Sequence, residues 1–172
     1  MRTGFSSSRA GGVARFPEPG VACNAGHTLS DARPATYGRA VATFDDVARL
    51  AAQLPAVTQA VRGGHRPGLA WSVEGKVFAW ERAFSKADVT RYGSDPVPGG
   101  PILALVVEDL AEKAAVLDAG RPGFFTIPHF AGYAAVLVQL DAADDGDLRD
   151  ALTDAWLAVA PDGLAKAYVA GR

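Results

Sequence analysis

Cysteine is almost absent from this chain: Cys23 stands alone among 172 residues, which excludes an internal disulfide framework and a cysteine-built zinc cluster. Long apolar runs are missing too. The longest, from Pro101 to Val107 and from Ala134 to Val138, fall far short of the roughly 20 residues a membrane helix needs, so no membrane partner is expected. Neither sign of charge dominates: 17 Lys+Arg stand against 19 Asp+Glu, which rules out a generally basic protein that coats nucleic acid. Signatures of chemistry are missing as well. The chain carries no GxGxxG, no Walker loop, no GxSxG and no HExxH, and Cys23 with His27 has no second ligand pair. No catalytic residue, cofactor or metal is therefore expected. What is present, 49% hydrophobic and 21% charged residues, is the balance of one soluble globular domain.

Residues 1–40 differ in kind from the rest. Arg2, Arg9, Arg15, Arg33 and Arg39 stand against Glu18 and Asp31, among serines, glycines and prolines with few large apolar side chains. Such a segment buries too little surface to offset its ordering entropy, so it reads as a disordered extension. It also lacks the apolar stretch of a secretory signal, which makes a cytoplasmic location the expectation. Residues 41–172 form the folded unit, and this unit is acidic.

The pattern along that unit alternates helix and strand. Thr43 with Asp46 makes a capping box, and Phe44, Val47, Leu50, Ala51 and Leu54 repeat at helical spacing up to Pro55. Residues 69–73 and 77–80 read as a hairpin around Glu74-Gly75. Ser85 and Asp88 make a second capping box and a short helix, before a loop with Pro96 and Pro98. The continuous apolar run from Ile102 to Val107 predicts a central strand. Leu110, Ala114 and Leu117 mark a helix that Gly120 ends, residues 124–127 and 134–140 read as strands, and residues 146–159 as the last strong helix. With the short Ser85 helix set aside, the order is α-β(3)-α-β(2)-α, an α+β fold with an antiparallel sheet and helices packed against it.

Two groups of residues carry candidate function. Arg62, Arg66, Lys76, Arg82, Lys86 and Arg91 outnumber the acids between residues 57 and 92, and Trp71 and Trp80 interleave with them. Cations on a hairpin beside a short helix suit phosphate contacts that position nucleic acid without reading its sequence. The tryptophans equally suit an ordinary core under a solvated face. His129 and Tyr133 lie in the segment Phe124-Phe125-Thr126-Ile127-Pro128-His129-Phe130-Ala131-Gly132-Tyr133. An imidazole titrating near neutrality can contact a ligand, although no Asp, Ser or Cys stands at a recognisable motif spacing from it. The acidic run from Asp141 to Asp154 lacks the pattern of a calcium loop and suits helix capping and solubility.

The Phe124–Tyr133 segment, the apolar strand after it, and the helix with Leu148, Asp154, Ala155 and Trp156 together resemble the MmcQ/YjbR family. Leu69-Ala70-Trp71 and Val77-Phe78-Ala79 add to the likeness. The resemblance implies an α-β(3)-α-β(2)-α domain, similar to CyaY-like and double-wing arrangements, and a DNA-binding role without established catalytic residues. The longer link from Phe84 to Gly100 departs from compact members. Three expectations compete: a DNA-binding domain, a protein-interaction domain that self-associates or serves as a dimeric adaptor, and a small-molecule site near His129.

Overall fold

The computed structural model describes residues 41–63 and 67–172. Residues 1–40 and Arg66 lie outside the described residues, and with them the expectation of a disordered extension.

The apolar run at residue 102 becomes β4 (Ile102–Val106), whose first four residues are all buried because both faces of the strand are covered. Around it the sheet has six strands in the order β1-β2-β3-β4-β6-β5. The others are β1 (Val57–Arg62), β2 (Gly68–Val73), β3 (Lys76–Glu81), β5 (Phe124–Phe125) and β6 (Ala135–Gln139), and every pairing is antiparallel. The fold is α+β, as the sequence implies. β1 is an addition to the expected strand order. It is the outermost strand and is exposed at five of its six positions, so no buried face imprints an alternating pattern on its sequence.

The β2–β3 hairpin closes through Glu74 and Gly75, both at positive φ (47° and 80°). That is the arrangement of a two-residue turn whose twist matches the strands it joins.

Helices α1 (Phe44–Ala51), α3 (Leu110–Asp118) and α4 (Asp145–Val159) cover one face of the sheet. Val47 and Leu50, Leu148, Leu152 and Trp156 pack there onto Trp71, Phe78, Leu103, Leu105 and Val138. The indole nitrogen of Trp156 donates to the carbonyl of Pro55 at 3.1 Å, tying α4 to the chain after α1. α5 (Asp162–Ala170) follows α4 and sets Tyr168 edge-on against Trp156 at 5.0 Å.

The other face carries a smaller core of Ile102, Ala104, Ile127, Phe130, Ala135 and Leu137, with Trp80, Phe84, Tyr92 and Phe125 packed against it. Two pieces outside the sheet roof this core: α2 (Lys86–Tyr92) and a 3-10 turn, Pro128–Phe130. Among the described residues, this core takes none from β1 or β2. The candidate site residues gather beside it.

Gly123 fixes the approach to β5. It sits at φ 82°, and a Cβ there would lie 2.8 Å from both the Ala143 nitrogen and the Gln139 carbonyl oxygen. Gly120, at φ 62°, has open space around it. Gly120→Ala is therefore expected to cost about 1 kcal/mol, the left-handed backbone penalty alone. Gly123→Ala adds a backbone clash and is expected to cost at least about twice that, read as a larger drop in urea midpoint.

Candidate functional site

Arg82 follows β3 and is 8% exposed. A buried guanidinium must have its charge met, and this one does. Its Nη2 lies 2.7 Å from Asp88 Oδ2 in α2, its Nη1 donates to the carbonyl of Ala83, and the rings of Phe84 and Phe130 lie 5.9 and 5.5 Å from its Cζ. The same Asp88 oxygen accepts from the Ser85 backbone N–H at 2.9 Å and from the Ser85 hydroxyl at 2.7 Å. Burial alone would raise the Asp88 carboxyl. The Ser85 donors and the Arg82 guanidinium outweigh it and hold the group well below the usual carboxylate range. The capping box visible in the sequence is thus also the anchor of a buried ion pair.

A second buried cation fixes the turn. Lys113 in α3 is 5% exposed. Its Nζ donates to the backbone carbonyl of Phe130 and, at 3.0 Å, to that of Tyr133. Burial pulls this ammonium below the ordinary lysine range. Lys113, Val116 and Leu117 form the inward face of α3, while Leu110, expected on that face, is 51% exposed. The charged head of Lys113 is what reaches past the sheet to hold the Pro128–Tyr133 segment.

Between these two anchors lies an open cleft of about 280 Å³, lined by Arg62, Trp80, Arg82, His129, Phe130 and Tyr133. Register explains its floor. Ala60 pairs with Ala70 and Ala70 with Trp80, so these residues and Arg62 share one face of the sheet. The two alanines carry no bulk, and the Arg62 guanidinium reaches across β2 to lie 6.0 Å from the Trp80 ring. Trp80 stacks on Phe130 with centroids 6.3 Å apart, Phe130 meets Tyr133 at 5.9 Å, and the His129 ring stands at 63° to Phe130 at 6.0 Å. Phe130 is the buried back wall, and Tyr133, 63% exposed, is the lip.

The structure therefore joins parts of both expected groups, Arg62 and Arg82 with His129 and Tyr133, and adds Trp80 and Phe130. It separates others. Lys76 is at the start of β3, four residues and roughly 13 Å from Trp80. Lys86 and Arg91 are exposed on α2, and Arg91 lies 3.4 Å from Asp88. Trp71 is core, stacked on Phe44 at 6.4 Å. Pro98 lines a separate cavity that does not include His129. On the helical side, Glu108, Glu112, Asp154 and Asp162 line one acidic hollow. Burial and the neighbouring Glu112 and Asp150 raise the Asp154 carboxyl above its ordinary value.

The family model described as YjbR matches residues 52–158, a span that holds all six cleft residues. Uncharacterized proteins of Mycobacterium bovis and of two strains of Mycobacterium tuberculosis, CDC 1551 and H37Rv, are each 42% identical to this chain over 134 residues. Those residues make up 76% of this chain and 98% of each relative.

The ion pair has a pH signature. A carboxylate held below its ordinary value of 3.8 contributes stability that is complete above that pH and is lost as pH falls below it. Asp88→Asn leaves Arg82 buried without a counter-charge and is expected to cost about 3 kcal/mol at neutral pH. The gap between the variant and the parent chain narrows as pH falls below about 4. Chemical denaturation across pH measures both.

Proposed function

The chain belongs to the YjbR family, and we propose that its domain binds nucleic acid, DNA foremost, without a catalytic step. One observation carries this reading. The cations and aromatic rings of the cleft lie on the sheet face opposite the helical layer, where Asp144, Asp145, Asp147, Asp150 and Asp154 are concentrated. A polyanion is repelled by one side of this domain and met by cations on the other. Arg62 is the exposed phosphate contact at the cleft in this reading, with Lys76, Lys86 and Arg91 as outlying ones. Arg82 is a positioning residue, since its charge already faces Asp88. His129 on the 3-10 turn and Tyr133 just after it contact the bound strand.

A second reading has its own observation. β1 is an edge strand of the sheet, and Val61 on it is 72% exposed. Antiparallel pairing of β1 with β1 of a second copy would satisfy that edge and make a symmetric dimer. A dimer in sedimentation that Val61→Lys dissociates would favour this reading. A monomer at high protein concentration removes it.

Fluorescence anisotropy of the full chain with a labelled oligonucleotide tests the main reading. Binding is expected to weaken as salt rises from about 50 to about 200 mM. Arg62→Glu and Lys86→Glu are each expected to lower affinity and flatten the salt slope by about 1. The arginines of residues 1–40 are common to parent and variants, so the difference isolates the folded domain. No binding at low salt, or binding indifferent to both substitutions, contradicts the proposal.

A further inference from the structure

We infer that the cleft seats one unpaired nucleobase, so that the domain selects single-stranded nucleic acid over duplex. This rests on the nucleic-acid reading above and specifies which form is bound.

The lining is suited to a flat, weakly polar ring. Trp80, Phe130 and Tyr133 form a continuous aromatic wall, and Arg62 lies against the Trp80 ring at one end of it. Tyr133 is 63% exposed although its backbone is pinned by Lys113, so its ring is displayed at the lip on a fixed support. Bases stack on such rings whatever their identity, because each has a π-face. In a duplex those faces are already covered by neighbouring bases, leaving only groove edges and phosphates to a protein.

Shape and charge agree. Groove readers insert a protruding helix or ribbon, whereas this site is a concavity of about 280 Å³, below the usual range for drug-sized ligands and enough for one base rather than a run of them. Of the cleft's two arginines, Arg82 is committed to Asp88, which leaves Arg62 at the rim. Few phosphates are neutralised there, so counterion release is small and stacking must supply a larger share of the affinity. His129 at the rim offers ring nitrogens to a base edge or an adjoining phosphate.

Three probes of equal length decide the matter with the full chain: oligothymidylate of about ten nucleotides, a strand of the same phosphates with abasic sites, and a duplex. Oligothymidylate is expected to bind about tenfold more tightly than the abasic strand, and more tightly than the duplex, with quenching of tryptophan emission from Trp80. Tyr133→Ala is expected to bring oligothymidylate down toward the abasic strand, while Tyr133→Phe keeps the difference. A thermal melt of each variant checks that the fold persists. Equal affinity for the base-bearing and abasic strands, or a duplex bound more tightly than either, overturns the inference and leaves the nucleic-acid reading standing. Failure of all three probes to bind at low salt overturns both.

Discussion

A guanidinium taken out of water costs several kcal/mol unless its charge and its donors are met, and the far face of this sheet is organised around meeting one. Arg82 leaves β3 and turns inward, so α2 must begin where Asp88 can reach it. The Ser85 cap sets that start, with the serine hydroxyl and backbone N–H both held by the Asp88 carboxylate. Once Arg82 is placed, its guanidinium lies against the rings of both Phe84 and Phe130. The 3-10 turn and His129 are positioned through that contact. A buried ion pair of this kind is weak evidence for net stability but strong evidence for a fixed geometry, since removing either partner leaves a charge stranded.

The sheet then has two unequal faces. Three helices close one with a large aliphatic and tryptophan core, and their outward surfaces hold much of the acidic charge. Among the described residues, the other is closed near β4 and β6 by α2 and the turn, and its core takes no residue from β1 or β2. Lys113 links the two sides: it belongs to a helix of the first face, yet its ammonium holds two carbonyls of the turn that walls the second. Shape at the cleft is therefore set by the Arg82–Asp88 pair and by the Lys113 contacts. The exposed residues Arg62 and Tyr133 can change without disturbing either anchor.

Much of this fold is legible in the residues. Both capping boxes follow from Thr43/Asp46 and Ser85/Asp88, and the central strand from an unbroken apolar run. β1 is not legible, because an outer strand exposed on both faces has no burial to write a pattern of period two. The two buried cations are hidden for a different reason. Arg and Lys ordinarily signal solvent, and Lys113 lies among small and apolar residues of a helix whose inward face differs from the one its leucines suggest. At the site, Arg62, His129 and Tyr133 can be picked out by residue type. That they share a cleft with Trp80 depends on β1–β2–β3 register and on a turn roofing the sheet, long-range facts that no local spacing encodes.

In the proposed function, the sheet face that carries the cleft, and not the helical layer, meets the nucleic acid. The most direct test is a two-dimensional 15N NMR titration of the full chain with a short single-stranded oligonucleotide. The amides of Arg62, His129 and Tyr133 and the indole N–H of Trp80 are expected to move together, while those of Glu108, Asp154 and Asp162 stay in place. Shifts confined to the helical layer, or to residues outside the folded domain, would contradict it.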